Sequence, residues 1–129
     1  MKQLLFLVFL ISVLLTAGCL SEDTTNAAPG PDNVTVYFFY GEECPHCHNI
    51  MPFIQNLSSK YPEVDFVMLE TWHNETNNAL FTSLNQKLGL QKSGVPEVIV
   101  VGNATPLIGD RDIPAYLEAV ILEQLNKKR

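Results

Sequence analysis

The segment Gly41 to Ile50, GEECPHCHNI, places two cysteines, two histidines and a proline within five consecutive positions. One helical turn can bring two cysteines at this spacing within disulfide reach, because a disulfide needs Cα atoms about 4.4 to 6.8 Å apart. The same letters, with His48, match the attachment motif of a c-type haem, and two thiolates with a histidine can bind zinc or copper(I). The flanking sequence must therefore decide among redox chemistry, haem attachment and metal binding.

Strand and helix patterns alternate from residue 33 onward. The runs 34–40 and 64–70 are short and rich in β-branched and aromatic residues, which is typical of buried strands. Each run is followed by apolar residues at helical spacing, and Gly89 is suited to end the second helix. The two predicted apolar faces are Ile50, Phe53, Ile54 and Leu57, and then Leu80, Phe81, Leu84 and Leu88.

The last third of the chain predicts a hairpin and a final helix. Val95–Val101 is a third strand entered through Pro96, the pair Gly102-Asn103 is a tight-turn signal, and TPLIG can return as a short strand. We expect Asp112 to cap the final helix. Its predicted buried face is Tyr116, Leu117, Val120, Ile121 and Leu125. The order β-α-β-α-β-β-α predicts an α/β fold with a central mixed sheet flanked by helices.

The first 32 residues have a different composition. Lys2 is followed by an almost unbroken apolar run, 4–20, which is typical of an export signal. Its end, LLTAGC, resembles the lipobox of bacterial and archaeal lipoproteins, in which the cysteine after the cut, here Cys19, is lipidated, although Thr16 departs from that pattern. The alternative is an uncleaved membrane anchor. We assign 1–19 to the signal or anchor, the polar segment 20–32 to a flexible linker and 33–129 to one domain.

The charge balance excludes one class of partner. Cleavage before Cys19 would leave 7 basic and 14 acidic residues, a net charge of −7. Nucleic acid is not an expected partner, because binding to phosphates needs clustered positive charge. The basic cluster 127–129 is better explained as the end of a helix.

Residues 33 to 129 resemble the thioredoxin family. The resemblance rests on Cys44-Pro45-His46-Cys47 between a strand and a helix, on Pro52, on GVP at 94–96 and on Gly109 after the hairpin. The pair Pro45-His46 is similar to the DsbA branch of extracytoplasmic disulfide oxidoreductases. The resemblance implies a minimal thioredoxin fold, exchange of disulfides with protein substrates and no bound cofactor. The export signal and the lipobox indicate a tethered protein at the outer face of the cytoplasmic membrane, and this tether resembles that of reductants that receive electrons from a membrane redox protein, which is a further expected partner.

Each residue of the motif then has an expected role. Cys44, at the start of the helix, is the nucleophile, because unpaired backbone N–H groups there favour a thiolate, and Cys47 resolves the mixed disulfide. Pro45 and His46 tune the thiol pKa. The resemblance also implies a cis peptide bond before Pro96, opposite the cysteines, with the backbone of Val95 free to pair with an extended substrate.

Two departures from the family and one open question remain in the sequence. Thioredoxin and DsbA relatives carry a buried acid where this chain has Phe38, so proton transfer to and from the resolving thiol must be slower or use another group. Glu43 replaces an aromatic residue and, with Glu42, makes the docking surface more acidic. The Pro45-His46 pair favours an oxidant, whereas the tether and the missing helical insert resemble reductants, so the direction of transfer stays open.

Two other classes of function compete with this interpretation. In a c-type haem protein, His48 would be the axial ligand, but such a domain is mostly helical and has no use for a proline loop opposite the motif. In a zinc or copper(I) protein, the two cysteines would act with His48 or His73. His73 is more simply a surface residue before the second helix.

Overall fold

The computed structural model describes residues 33–129, so the predicted segments 1–19 and 20–32, with Cys19, lie outside the described residues. Four strands and three helices alternate in the predicted order. They are β1 (Val34–Tyr40), α1 (Pro45–Lys60), β2 (Val64–Glu70), α2 (Glu75–Lys87), β3 (Glu97–Val100), β4 (Leu107–Ile108) and α3 (Gly109–Lys128). Within 33–129, no helix has the length and apolar character needed to cross a membrane.

The strands form one mixed sheet in the order β2-β1-β3-β4. β1 runs parallel to β2 and antiparallel to β3, and β3 and β4 form the predicted hairpin. The register pairs Phe39 with Glu97, so the end of β1 that leads to the cysteines lies beside the start of β3. The predicted α/β fold with a central mixed sheet is confirmed.

Helices cover both faces of the sheet. Phe38, fully buried on one face, belongs to a core that contains residues of α1 and α3, and Phe39 on the other face packs against Phe81 of α2. Burial on both sides explains why β1 has no polar alternation, because neighbouring side chains of a strand point to opposite faces. The larger core consists of Val34, Val36, Phe38, Ile50, Ile54, Leu57, Val64, Val98, Val100, Ile113, Leu117 and Ile121.

Three details of the sequence prediction are wrong. β3 starts at Glu97 rather than Val95, since Pro96 has no N–H to donate to a neighbouring strand. α3 starts directly after the hairpin at Gly109, so Asp112 lies in its first turn and is not the cap. Tyr116 is 57% exposed, because Ile113, rather than Tyr116, joins the buried face of α3.

The face of α2 also differs from the prediction. Leu80 is exposed, and Phe81, Leu84 and Leu88 are only partly buried against the sheet. The one buried residue of α2 is polar, Asn85. Gly89 ends the helix as predicted, with a φ of 67°, a backbone conformation that glycine adopts without a Cβ clash.

Glu97 is a charged residue inside this core. Its side chain is 0% exposed, and within the described chain neither carboxylate oxygen has a hydrogen-bond partner of standard geometry. Burial raises the pKa of Glu97 to about 6, although the Asn85 side chain and the Gly94 backbone N–H act in the opposite direction. A buried carboxylate that lacks full hydrogen-bond partners destabilises the fold when it is ionised. The free energy of unfolding therefore depends on pH through Glu97.

Replacing Glu97 by glutamine should make stability less sensitive to pH. The pKa of Glu97 is about 6 in the fold against an ordinary 4.5, so the folded chain binds this proton more tightly than the unfolded chain. The resulting stabilisation is complete below pH 4.5 and is lost as the pH rises through about 6. We expect Glu97→Gln to gain roughly 1 to 2 kcal/mol relative to the parent between those limits, measured by denaturant unfolding.

A glutamine at Glu63, which is exposed, is the matched control. Its free energy of unfolding should follow the parent across the same pH range. If the Glu97→Gln profile also runs parallel to the parent, the carboxyl does not carry the shifted pKa.

Candidate active site

Cys44 and Cys47 lie at the start of α1 and are joined by a disulfide, with their Cα atoms 5.2 Å apart. Cys44 is the N-cap residue, in an extended conformation, and Pro45 opens the first turn. The backbone N–H of Cys47 donates to the Sγ of Cys44 at 3.1 Å. A cysteine sulfur therefore occupies the place of the oxygen that usually accepts this N–H at a helix start.

The two sulfurs differ in their access to solvent. Cys44 is 4% exposed and Cys47 is 0% exposed. The greater exposure of Cys44 agrees with the expectation that this sulfur meets the substrate, although in the disulfide state Cys44 is itself largely covered. An incoming thiolate can therefore approach only from the side of Cys44.

The proline loop faces this pair, as the family resemblance implies. The peptide bond between Val95 and Pro96 is cis, and the Val95 carbonyl oxygen lies 4.0 Å from the Sγ of Cys44. The N–H of Gly109 donates to the carbonyl oxygen of Pro96 at 2.8 Å, which ties the loop to the start of α3. Residues separated by about fifty positions in the chain thus meet at one edge of the sheet.

His46 is paired with an acid that the sequence did not point to. Its Nδ1 lies 2.7 Å from a carboxylate oxygen of Asp110, in the first turn of α3. The hydrogen bond from His46 lowers the pKa of Asp110. When His46 is protonated, the Asp110 carboxylate therefore neutralises part of its positive charge. Less of that charge is then left to stabilise a thiolate at Cys44.

The turn before Cys44 is fastened by its own backbone and by Glu70. The Cys44 N–H donates to the Gly41 carbonyl oxygen at 3.2 Å, and the ring of His48 lies 2.5 Å from the Glu42 carbonyl oxygen. The Glu70 carboxylate accepts the backbone N–H groups of Glu42, Trp72, His73 and Asn74. Burial acts to raise the pKa of Glu70, but the backbone N–H groups of His73, Trp72 and Glu42 and the charge of His73 outweigh it and lower that pKa.

Glu43 and His73 form an exposed pair beside the motif. The Nε2 of His73 lies 2.8 and 2.9 Å from the two oxygens of Glu43, and the hydrogen bond to Glu43 raises the pKa of His73. With Glu42 they bring ligand atoms within 4.8 Å of one another, all exposed. Among the described residues this histidine thus joins carboxylates, not the cysteines that the zinc or copper(I) alternative needs.

The haem alternative fits this geometry poorly. The sulfurs of Cys44 and Cys47 are bonded to each other, and Cys47 has no exposed surface through which to bond a porphyrin. His48 directs its ring to the backbone of Glu42. The fold around the motif is a mixed sheet with a proline loop and is not the mostly helical domain that such a haem requires.

Phe38 replaces the buried acid of the family resemblance with an apolar ring. It is 0% exposed, stacks on Tyr40 at a centroid distance of 5.7 Å and lies on the face covered by α1. The only buried carboxyl among the described residues, that of Glu97, follows the proline loop. A lone charge in the apolar run VPEVIVV was the sequence signal for this group.

Trp72 covers the turn that leads to Cys44. Its side chain is 52% exposed, yet its indole ring lies so close to Gly41 that a Cβ at that position would overlap it. Gly41 is therefore required for the packing of this rim. The sequence gave no sign that the ring contacts Gly41.

Replacing Gly41 by alanine should displace Trp72 from the rim. The added Cβ would overlap the indole ring, and such overpacking typically costs about 1 to 3 kcal/mol. Trp72 is the only tryptophan of the chain, so its fluorescence emission reports the displacement directly. Gly94→Ala is the matched control, since a Cβ there meets no atom within 4 Å. Unchanged emission in Gly41→Ala would contradict the packing described here.

No protein-family model matches the chain, and no curated protein sequence matches it. Solved structures of thioredoxins are similar to it. The thioredoxin of Fasciola hepatica has 20% sequence identity and a TM-score of 0.56, covering 71% of this chain and 81% of that one.

Two plant and algal structures give the same result. Thioredoxin f from spinach chloroplast has 21% identity and a TM-score of 0.57, covering 71% of this chain and 70% of that one. Thioredoxin f2 of Chlamydomonas reinhardtii has 25% identity and a TM-score of 0.51, covering 72% and 80%. At such identities the likeness concerns the fold. The described part of this chain therefore has a thioredoxin fold, with a Cys-Pro-His-Cys disulfide at the start of its first helix.

Proposed function

We propose that this protein is a thiol-disulfide oxidoreductase that exchanges disulfides with protein substrates through Cys44 and Cys47. The observation that carries the proposal is the position of the pair: the Cys44 sulfur caps a helix and faces the cis peptide bond of Val95-Pro96. A purely structural disulfide would gain little from this position, because a bridge between residues three apart closes a very small loop.

The exchange takes place in two balanced steps. The Cys44 thiolate attacks one sulfur of a substrate disulfide, a mixed disulfide forms, and the other substrate sulfur leaves as a thiolate and takes a proton. Cys47, after losing its proton, attacks the Cys44 sulfur and releases the second substrate thiol. The substrate gains two electrons and the Cys44–Cys47 pair loses them, and the reverse sequence donates a disulfide.

The surroundings of Cys44 favour its role as the attacking and the attacked sulfur. The Cys47 N–H lies 3.1 Å from the Cys44 sulfur in the disulfide state. In the reduced state this N–H and the positive end of the dipole of α1 both stabilise a thiolate at Cys44. Cys47 has no exposed surface, so an external disulfide cannot reach it. Its own target, the Cys44 sulfur, is adjacent in the same turn.

Val95 is the proposed docking group for the substrate backbone. It lies in the loop before β3, not within a strand, so its backbone can pair with an extended segment next to Cys44. Such pairing relies on main-chain hydrogen bonds, which are independent of the substrate's side chains. This suits a protein that acts on many cysteine-containing segments.

The direction of transfer depends on opposing contacts around Cys44. The helix start, the Cys47 N–H and His46 favour the reduced thiolate, which makes a pair more oxidising, whereas Asp110 compensates His46 and Glu42 and Glu43 add negative charge. The reduction potential against glutathione measures the balance. A value near that of thioredoxin would identify a reductant, and a value near that of DsbA an oxidant.

We further propose that the protein is exported and works at the outer face of the cytoplasmic membrane, tethered through Cys19 or an uncleaved anchor. The support is the basic start, the apolar run and LLTAGC in residues 1–19. A membrane redox protein would then be the partner that restores the pair. Labelling of the parent with a radioactive fatty acid, absent in Cys19→Ser, distinguishes lipidation from an anchor.

Replacing Cys47 by alanine should trap substrates. Without the resolving thiol, the mixed disulfide with Cys44 cannot be released internally, so disulfide-linked complexes accumulate and vanish on reduction. Non-reducing electrophoresis with mass spectrometry of the linked peptides measures this. Cys44→Ala is the matched control, because it keeps Cys19 and Cys47 and shows whatever they form alone. Complexes that persist in Cys44→Ala through Cys47 would reverse the roles of the two cysteines.

A further inference from the structure

Glu97 and Asn85 form a buried polar pair on the α2 side of the sheet. They are 0% and 5% exposed, and within residues 33–129 both carboxylate oxygens and both amide atoms have no hydrogen-bond partner of standard geometry. Their surroundings are apolar: Phe39 pairs with Glu97 across the sheet, and Phe39 and Ile99 belong to the hydrophobic core on this face. Four buried polar atoms without full partners cost stability, and packing alone does not explain them.

The position of Glu97 links it to the docking loop. Its backbone is held in the sheet between Phe39 and Ile108, at the end where β1 leads to the cysteines. The preceding residue is Pro96, and the backbone N–H of Gly94, the residue before Val95, lowers the pKa of the Glu97 carboxyl. The sheet holds Glu97 and the Gly109 N–H holds Pro96, so Gly94 and Val95 are the loop residues through which the carboxylate can act on docking.

Glu97 does not stand in for the acid missing at Phe38. Successive side chains of β3 alternate between faces, and Val98 belongs to the core beneath α1, whereas Glu97 points to the face of α2. Cys47 is in α1, on the other side of the sheet. Direct transfer of a proton from Glu97 to Cys47 is thus excluded, and any effect on the cysteines passes through the loop.

An asparagine can serve a carboxyl in both of its protonation states. Its NH₂ group can donate to the ionised form of Glu97, and its carbonyl oxygen can accept from the neutral form. The Gly94 N–H can only donate, so it is a good partner for the ionised form and a weaker one for the neutral form. Both groups lower the pKa of Glu97 and so stabilise its ionised form; protonation therefore weakens the contact with the loop, while the Asn85 carbonyl oxygen can still accept from the neutral carboxyl.

We propose that Glu97 is a positioning residue for substrate docking: when ionised it holds Gly94 and Val95 opposite Cys44, and when protonated it keeps only Asn85 as a partner and loosens those two residues. The inference rests on the proposed function, since the loop is the proposed docking site. It adds a residue that controls docking without contact with the reacting sulfurs.

Other charged groups near this cluster do not compensate Glu97. Within the cluster, Tyr37 on β1 is the other ionisable side chain, and β2 contributes Asp65 on the same face. Glu75 and Lys87 on α2 and Lys92 in the following loop are exposed. The three histidines, His46, His48 and His73, lie on the cysteine side, and histidine can change charge at physiological pH, so an experiment must separate their signals from that of Glu97.

Nuclear magnetic resonance of the full chain tests the coupling without any substrate. The carboxyl carbon of Glu97 should titrate with a midpoint of about 6, and the backbone amides of Gly94 and Val95 should follow with the same midpoint. In Glu97→Gln that component should disappear while the histidine-driven changes persist. Asn85→Ala should move the carboxyl midpoint upward, because a polar partner is lost. Amides of Gly94 and Val95 that do not follow the carboxyl would overturn the proposal.

Exchange kinetics test the consequence for docking. The probes are a synthetic peptide with an internal disulfide, which can pair with Val95, and oxidised glutathione, which is too short to pair extensively. The ratio of their rate constants cancels the ionisation of Cys44. We expect this ratio to fall about two- to tenfold from pH 7.5 to pH 5 in the parent, the effect of one weakened hydrogen bond, and to stay constant in Glu97→Gln.

Glu63→Gln, at an exposed position, is the matched control and should follow the parent. A ratio with the same pH dependence in the parent and in Glu97→Gln would overturn the positioning role while leaving the proposed function intact. If neither disulfide reacts with the parent, the proposed function fails, and the amide titration still decides whether Glu97 moves the loop.

Discussion

The hydrogen bond from the Cys47 N–H to the Cys44 sulfur is the interaction on which the site depends. It exists because Cys44 occupies the N-cap of α1, where the first backbone N–H groups of a helix have no carbonyl partner. The rest of the fold serves to place that helix start. β1 ends at Tyr40, Gly41 turns the chain beneath Trp72, and the core beneath α1 fixes its direction.

The second requirement is a loop that meets the sulfur from a distant part of the chain. The antiparallel pairing of β1 with β3 puts the start of β3 beside the end of β1, and the Val95 carbonyl oxygen therefore lies 4.0 Å from Cys44. Charges then surround this contact in compensated pairs, His46 with Asp110 and His73 with Glu43. Each of these exposed pairs stabilises the fold only weakly, but together they reduce the net charge that surrounds the Cys44 thiolate.

The sequence predicted those structural features that depend on the local pattern of residues. Val34–Tyr40 is recognisable as a strand because every residue is apolar or β-branched, and Gly89 marks the end of α2 because glycine adopts a positive φ at a helix end without a Cβ clash. The start of α3 could not be predicted, since the hairpin runs directly into the helix and Asp112 only resembles a cap. Tyr116 and Ile113 compete for one helical face, and packing against the sheet decides between them.

The contacts between distant residues were beyond the sequence. Nothing in the spacing of His46 and Asp110 indicates that they meet, because they are 64 positions apart and only the tertiary fold joins them. Glu97 gave a partial signal, a lone acid in an apolar strand, but its pairing with Asn85 depends on how α2 packs. The motif itself was predicted because its residues are adjacent in the chain.

The most direct test of the central claim is the pH dependence of alkylation at Cys44 in the reduced full chain, followed residue by residue with iodoacetamide and mass spectrometry. Because only the thiolate reacts, the rate reports its ionisation. A helix-capping sulfur bonded to the Cys47 N–H should titrate well below the value of about 8.5 found for a free cysteine. A rate profile at Cys44 identical to that of a cysteine in an unstructured peptide would contradict it.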